Sequence, residues 1–298
     1  MANNKNNIKK LSEYGNDSIT SLKGADRVRL RPAVIFGSDG ILGCKHSIFE
    51  ILSNSIDEAR EGFGNLIKIS YFKDKSICIE DNGRGIPVDY NAKEEKYNWE
   101  LLFCELYAGG KYLNNSGENY EFSLGLNGLG LCSTQYSSEY MDVEIIRDGH
   151  KYTLHFEKGE NVGGLKKEKT NIKTTGSKIH WRPDTEVFTD INVDIDYFKE
   201  TLKRQCVVNA GLKFEFYNEE TDETFNFCYE QGIKDYIKEI AEDKSFIEPV
   251  YYRYETKGKD REDKEEYKLK FEMAFTFNNE INIIEYYHNS SFLEYGGS

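Results

Sequence analysis

The chain has 298 residues, which is enough for one large or two ordinary domains with a buried core. Because 38% of the residues are hydrophobic and 14% are aromatic, the chain is too apolar to be wholly disordered. Lys and Arg total 39 against 52 Asp and Glu, for a net charge of −13, and the sequence shows no basic stripe of the kind that binds DNA phosphates over a broad surface. The six cysteines are scattered, and no apolar run approaches the roughly 18 residues of a membrane span, which favours a reduced cytoplasmic protein that meets no membrane.

The front of the chain alternates helices with strands. Residues 1–20 are Asn-rich and weakly hydrophobic, and we expect an N-terminal arm there. The periodicity then predicts, in order, a helix at Ile41–Arg60, strands at Leu66–Phe72 and Ser76–Glu80, and a helix at Trp99–Tyr107. A Gly- and Asn-rich stretch follows from Gly109 to Gly130, and loops of that length are usually functional or disordered.

The remainder of the chain is richer in strands. The predicted elements are, in order, a helix at Leu131–Ser137, strands at Val143–Ile145, Tyr152–Phe156 and Lys178–Trp181, a helix at Tyr197–Val207, and strands at Leu212–Tyr217 and Phe225–Tyr229. After Gly232 a new unit is predicted, with a helix at Ile233–Ile240, further strands and a charged hairpin tip at Glu255–Glu266. This order indicates an α+β fold or an α/β sandwich with helices on one face of the sheet.

The predicted helix Ile41–Arg60 carries two stripes of opposite character. Its apolar stripe consists of Ile48, Leu52, Ile56 and Ala59. A polar stripe with the same spacing starts two residues earlier, roughly 200° around the helix, and consists of His46, Glu50, Asn54 and Asp57. Such a stripe is most often a solvated helix face. Asn is a poor residue for a helix interior, however, so its position needs a reason such as a ligand.

The loop Asp81–Pro87 directly follows a predicted strand. An ionised Asp81 could accept a hydrogen bond from an exocyclic amine such as that of adenine. The glycines on either side of Arg84 permit positive φ and close approach of the backbone to a ligand. Ile86 and Pro87 would form an apolar wall for a flat ring. The same residues could instead form a tight turn capped by Asp81 and its neighbouring Asn.

Two further stretches are rich in glycine. Leu124–Gly130 contains the pattern G-x-x-G-x-G before a predicted helix, and exposed backbone N–H groups there would form an anion cradle. Lys111, after two glycines, could add an ammonium group near phosphates. A flexible surface loop would show the same composition. Further along the chain, Gly176 and Ser177 stand at the head of a predicted strand.

The order of these motifs resembles that of the Bergerat-fold (GHKL) ATPases. Within that superfamily the chain is most similar to the type IIA topoisomerase family that contains the B subunits of DNA gyrase and topoisomerase IV. The stretches that carry the similarity are Leu22–Arg29 with Arg31 and Pro32, Asn54–Ala59, Asp81–Pro87, Ala108–Tyr112, and Val187 with Phe188. The resemblance extends from Tyr14 onward. It implies a GHKL two-layer α/β sandwich at residues 21–231 and the start of a ribosomal-protein-S5-like transducer domain at residues 232–298.

The resemblance also implies roles for individual residues. Glu50 would be the general base that polarises the attacking water, His46 would orient Glu50, and Asn54 would bind Mg²⁺. The implied nucleotide-binding residues are Tyr14, Asn54, Asp57, Asp81, Gly85, Ile86, Pro87, Lys111, Tyr120, Leu126, Asn127, Gly128, Leu129, Gly130 and Ser177. Arg84 and Arg147 resemble residues at the mouth of the pocket where aminocoumarin inhibitors bind.

The implied function is ATP binding and hydrolysis that drives dimerisation during DNA strand passage. The implied partners are a second copy of the chain, a DNA-cleaving subunit similar to gyrase A, and DNA in the holoenzyme. The transducer lysine that reaches the γ-phosphate would lie beyond residue 298. We therefore expect a truncated fragment that binds ATP, hydrolyses it weakly and does not supercoil DNA alone.

The chain departs from the family pattern at several positions. Asn127 replaces the usual lid His, Leu124 replaces a Gly, and Ser177 replaces the common Thr. The stretch Arg31–Ile35 lacks an aromatic residue of the family pattern, which leaves an atypical paralogue open. A MutL-like or chaperone ATPase and a nucleotide-gated dimerisation module are also compatible with the motifs. A histidine kinase is disfavoured because no phospho-acceptor helix precedes the domain.

Overall fold

The computed structural model describes residues 21–109, 124, 128–259, 261–263 and 266–295. Its helices are α1 (Asp26–Arg29), α2 (Pro32–Phe36), α3 (Ile41–Arg60), α4 (Asn98–Cys104), α5 (Gly130–Tyr136), α6 (Ile195–Val208) and α7 (Ile233–Ala241). Each longer helix overlaps a predicted one. Helix α4 ends before the predicted Tyr107 because Glu105 is extended and Tyr107 has a φ of +64°. No helix in the described part of the chain is long and apolar enough to cross a membrane.

The strands follow the predicted order; nine of those described form one large sheet, and the other six form three two-stranded sheets. They are β1 (Leu66–Tyr71), β2 (Ile77–Asp81), β3 (Tyr90–Asn91), β4 (Lys96–Tyr97), β5 (Ser138–Arg147), β6 (His150–Glu157), β7 (Glu160–Asn161), β8 (Lys166–Lys169), β9 (Gly176–Pro183), β10 (Lys213–Asn218), β11 (Glu223–Phe227), β12 (Val250–Gly258), β13 (Tyr267–Phe275), β14 (Tyr286–His288) and β15 (Ser291–Leu293). Among the described residues the main sheet has nine strands in the order β11-β10-β1-β2-β9-β5-β6-β7, with β8 beside β6. Of the strand pairs that the structure describes in this sheet, only β1–β10 is parallel.

One face of the main sheet is apolar and packs under the helices. The strand register aligns a continuous hydrophobic row across it: Phe225, Phe216, Ile69, Ile79, Ile179, Val143 and Leu154. Helix α3 buries Ile48, Leu52 and Ile56 against this face, as its apolar stripe predicts. Phe198 of α6 stacks on Phe216 with ring centroids 4.8 Å apart. The result is the two-layer arrangement expected from the sequence.

The opposite face of the sheet is polar, because successive side chains on a strand point to opposite sides. Cross-strand ion pairs cover it: Lys68 with Glu215, Lys178 with Glu80, and Lys151 with Glu144. These side chains are about one-third to one-half exposed, so each pair contributes little to stability. The sheet is therefore half-buried, and ligand chemistry must be sought on the helical side.

Residues 232–295 form a second group of elements. Strands β12 and β13 pair as an antiparallel hairpin, with a charged tip between Gly258 and Tyr267. One side of the hairpin carries Tyr252, Tyr254, Leu269, Phe271 and Met273, all of them exposed. The other side carries charged residues, including the cross-strand pair Arg253 and Glu272. Helix α7 packs between this hairpin and α6.

Candidate nucleotide-binding site

The polar stripe of α3 is ordered by contacts between its own residues. His46 Nε2 and Glu50 Oε1 are hydrogen-bonded at 2.9 Å, one helical turn apart. The hydrogen bond to Glu50 raises the pKa of the His46 imidazole, and partial burial opposes that shift. Glu50 is partly buried while His46 remains exposed at the edge of the site. The imidazole is therefore placed to hold the Glu50 carboxylate in one orientation.

The next turn of α3 carries Asn54 and Asp57. Asn54 Nδ2 donates to the Glu50 backbone carbonyl at 2.8 Å, which fixes the orientation of the carboxamide. Asp57 is only 1% exposed, and its Oδ1 accepts a hydrogen bond from the Leu124 N–H at 2.8 Å. The carboxylate of Asp57 therefore attaches α3 to the first residue of the glycine-rich stretch Leu124–Gly130.

Polar residues interrupt the apolar face of the sheet at the ends of β2 and β9. Asp81 stands opposite Ile67 on the helical side, and Ser177 is buried at the start of β9. Asp81 Oδ2 accepts a hydrogen bond from Ser55 Oγ of α3 at 2.9 Å. Its Oδ1 accepts from the N–H groups of Gly83 at 2.9 Å and Ser177 at 3.3 Å. Burial raises the pKa of Asp81, and these hydrogen bonds oppose the shift.

Two glycines let the backbone close around Asp81. A Cβ on Gly176 would lie 2.1 Å from the Asp81 carbonyl oxygen. Gly85 has a φ of +82°, and a Cβ there would lie 2.9 Å from the Ile146 carbonyl oxygen. Ile86 N–H donates to Ser177 Oγ at 3.0 Å, which ties the loop to the head of β9. Of the two glycines beside Arg84, only Gly85 uses positive φ, whereas Gly83 provides close packing against Glu58.

Two arginines hold the Asp81–Pro87 loop in place, Arg84 from within the loop and Arg147 from β5. Arg84 forms a two-pronged ion pair with Glu58 of α3, with N–O distances of 2.7 and 2.8 Å. Its guanidinium also lies 3.6 Å from the centre of the Phe63 ring. Arg147 Nη1 donates to the Gly85 carbonyl at 3.0 Å. Arg84 therefore ties the loop to α3, and Arg147 ties it to β5.

Helix α5 begins directly against the Glu50 carboxylate. A Cβ added to Gly130 would lie 1.8 Å from Glu50 Oε2, so the backbone there is in contact with the acid. Gly128 has a φ of +59°, and Ser133 Oγ donates to the Leu129 carbonyl at 2.8 Å. Glu50 is thus confined between His46 on one side and the first residue of α5 on the other.

The chain is similar in sequence to known proteins. No protein-family model matches the chain. The gyrase B protein of Thermotoga maritima is 32% identical over 91% of this chain and 42% of its own length. The B subunit of Enterococcus faecalis topoisomerase 4 is 35% identical over 81% of this chain and 35% of its own length. The chain belongs to the family of gyrase and topoisomerase IV B subunits.

Solved structures of the gyrase B and topoisomerase IV family share the fold. The 43K ATPase domain of Thermus thermophilus gyrase B, solved with an aminocoumarin, superposes with a TM-score of 0.65 at 29% identity, covering 78% of this chain and 59% of that one. The topoisomerase IV ATP-binding domain of Francisella tularensis, solved with a small-molecule inhibitor, gives 0.64 at 29% identity, covering 79% and 63%. The chain therefore spans less than half of the two curated relatives, and about three-fifths of each solved chain.

The structure brings most of the site residues implied by the gyrase B resemblance into one region. These contacts involve His46, Glu50, Asn54, Asp57, Asp81, Gly85, Ile86, Gly130 and Ser177. Pro87, Gly128 and Leu129 lie beside them in the chain. Five implied residues lie outside the described part of the chain: Tyr14, Lys111, Tyr120, Leu126 and Asn127. The roles of all the implied site residues, described or not, stay predictions.

Several contacts that shape this gyrase B-like site are not predicted by the sequence. Ser55 is the α3 partner of Asp81 and Glu58 is the partner of Arg84, and both lie within the stretch Asn54–Ala59. Thr175 Oγ1 donates to the Gly83 carbonyl at 2.6 Å, just before the Gly176–Ser177 motif. The i,i+4 spacing between Asn54 and Glu58 is a sequence signal that places Glu58 on the same side of α3 as Asn54. No sequence signal assigns Ser55 to Asp81.

Proposed function

We propose that the chain is the ATP-binding and ATP-hydrolysing module of a type IIA DNA topoisomerase. The observation that carries this proposal is that α3 connects two chemically different groups. Glu50 lies at one point of the helix, and Ser55, five residues later and about 7.5 Å along the axis, is bonded to Asp81. The geometry supports a ligand with an amine-bearing ring at Asp81 and a reactive phosphate near Glu50.

In this proposal Asp81 recognises the adenine ring. A partly buried carboxylate that already accepts from Ser55, Gly83 and Ser177 has a fixed direction, and an ionised oxygen can still accept from an exocyclic amine. Ile86 and Pro87 would contact the flat ring. Gly128, Leu129 and Gly130 would present backbone N–H groups to the phosphates, with Lys111 adding charge.

Glu50 would act as the general base on the attacking water. Its hydrogen bond to His46 and its contact with Gly130 limit the carboxylate to one orientation before any substrate binds. A positioned base typically contributes about 10²–10⁴-fold to a rate. His46 is thus a positioning residue for Glu50, and it also supplies positive charge near the carboxylate when protonated.

The residues present fit Mg²⁺ as a nucleotide-bound ion. Among the described residues no group of three or more His, Cys, Asp or Glu side chains could hold a metal by itself. Mg²⁺ commonly uses one or two protein oxygens and takes the rest from phosphates and water. The Asn54 carboxamide, oriented by its bond to the Glu50 carbonyl, would supply such an oxygen. When bound, the ion would neutralise charge on the phosphates.

The proposed partners come from the resemblance and the relatives. ATP binding would close a homodimer through the N-terminal arm at residues 1–20, with Tyr14 contacting the partner's nucleotide. The chain would act with a DNA-cleaving subunit similar to gyrase A and with DNA. Residues 232–298 would belong to the transducer domain, while residues 21–231 would form the GHKL ATPase domain.

The test is a pair of Glu-to-Gln variants, Glu50→Gln and Glu80→Gln. Glu80 lies on the polar face of the sheet and pairs with Lys178, so it serves as the matched control. We expect Glu50→Gln to bind a non-hydrolysable ATP analogue normally in calorimetry but to lose Mg²⁺-dependent hydrolysis in single-turnover assays. Absence of adenine-nucleotide binding by the unmodified chain would reject the proposal. Analogue-dependent dimerisation with hydrolysis unaffected by Glu50→Gln would favour a nucleotide-gated dimerisation module instead.

A further inference from the structure

Arg29 lies outside the candidate nucleotide site, yet it holds the far end of a helix that contacts that site. Its Nη2 pairs with Asp184 at 2.6 Å, and the two side chains are 13% and 4% exposed. Its Nη1 donates to the backbone carbonyls of Tyr136 and Ser138, each at 3.2 Å. A single guanidinium therefore connects α1 with the junction between α5 and β5.

Helix α5 is short, so its position depends on its contacts. Its middle is held by Trp181 Nε1, which donates to the Thr134 carbonyl at 3.0 Å, and by Thr134 Oγ1, which donates to the Ser47 carbonyl at 3.3 Å. Its first residue, Gly130, contacts Glu50, and the carbonyl of its last residue, Tyr136, is held by Arg29. A shift at the Arg29 end would tilt α5 about its middle and move Gly130 relative to Glu50.

We propose that Arg29 is a positioning residue for Glu50, acting through α5, an inference that rests on the hydrolytic role proposed for Glu50. The planar guanidinium is required because it reaches Asp184 and two carbonyls at once, whereas a Lys ammonium is a single point charge. The exposed Glu186, 3.3 Å from Nη2, adds little because its side chain is 63% exposed. The buried contacts of Arg29 fix the position of the C-terminal end of α5.

The test compares Arg29→Lys with Arg27→Lys, the same substitution two positions earlier in α1. Arg27 is exposed, and its side chain donates to the nearby Leu22 carbonyl at 3.0 Å. We expect Arg29→Lys to lower kcat by roughly 10- to 100-fold, because an error near 1 Å at a reacting group costs on that order. The Kd for a non-hydrolysable ATP analogue should change by less than about threefold. Arg27→Lys should match the unmodified chain.

A second readout does not depend on catalysis. In Arg29→Lys the amide hydrogens of residues 133–137 should exchange with solvent faster, because the end of α5 is released. Asp184→Asn, which retains Arg29 but removes its charged partner, should move kcat and exchange in the same direction by a smaller amount. Unchanged kcat, or equal loss of kcat and analogue affinity with a lower Tm, would overturn the positioning role.

The two proposals can fail separately. If the unmodified chain shows no hydrolysis that depends on Glu50, the proposed function fails, and the positioning role falls with it whatever the exchange data show. If hydrolysis depends on Glu50 but Arg29→Lys leaves kcat and exchange intact, only the Arg29 inference is rejected.

Discussion

Replacing Gly130 by Ala is the sharpest perturbation of the candidate catalytic group. The added Cβ would meet Glu50 at three atoms, at 1.8 Å from Oε2, 2.6 Å from Cδ and 3.1 Å from Cβ. Ordinary contact begins near 3.4 Å, so the carboxylate oxygen must move by about 1.6 Å. Glu50 is the end of a flexible side chain, and it can rotate away without unfolding the helix. The substitution therefore displaces the base while leaving the fold in place.

The expected magnitude follows from that displacement. A misplacement near 1 Å costs on the order of 100-fold in rate, so kcat for Gly130→Ala should fall by at least about that factor. The free energy of unfolding should change little, because Gly130 is the first residue of α5 and Ala is at least as favourable as Gly at a helical position. Single-turnover hydrolysis of labelled ATP measures the first quantity, and urea denaturation measures the second.

Gly40→Ala is the matched control for this experiment. Gly40 precedes α3, and a Cβ there would have its nearest neighbours at 3.6 Å, an ordinary contact distance. Its kcat should stay near that of the unmodified chain. A folded Gly130→Ala protein with undiminished kcat would refute the argument that Glu50 acts from its position against α5.

Three other predictions concern pH, the loop brace and the core. Affinity for an ATP analogue, measured by calorimetry, should decline as pH falls through the pKa of Asp81, because the protonated acid is a poorer acceptor. Since burial raises that pKa, the decline should start at a higher pH than for an ordinary aspartate. The Asp81→Asn variant should show no change in affinity over the same pH range. Arg84→Ala should lower the free energy of unfolding by roughly 1 kcal/mol, since its ion pair with Glu58 is partly exposed, and a double-mutant cycle with Glu58→Gln should account for most of that loss. Phe216→Ala, at a fully buried ring, should cost about 3–5 kcal/mol in urea denaturation without changing m, and a loss under about 1 kcal/mol would contradict the tight packing of this ring.

Local pattern was enough to predict the elements that build the site. The apolar stripe of Ile41–Arg60 predicted the buried face of the helix, and its polar stripe predicted the side that carries Glu50 and Asn54. The alternation at Leu66–Phe72 and Ser76–Glu80 predicted two strands, which the structure pairs as antiparallel neighbours. These predictions succeed because helix and strand periodicity depend on residues close in sequence.

Contacts between distant segments could not be predicted in the same way. The bond from Ser55 to Asp81 and the hold of Arg29 on Tyr136 join residues far apart in the chain, and no periodicity reports such pairs. The parallel pairing of β1 with β10 likewise joins segments far apart in the chain, so local periodicity could not predict it. A helical wheel likewise places Asp57 on the polar stripe but cannot show that its carboxylate bonds the Leu124 backbone.

Helix α3 places its working groups on a single rigid rod. Glu50, Asn54, Ser55, Asp57 and Glu58 each engage a different neighbour. Because each residue turns an α-helix by about 100°, inserting or deleting one residue early in α3 would swing all five groups away together. Side chains in this segment can therefore be substituted one at a time during evolution, whereas insertions and deletions are not tolerated.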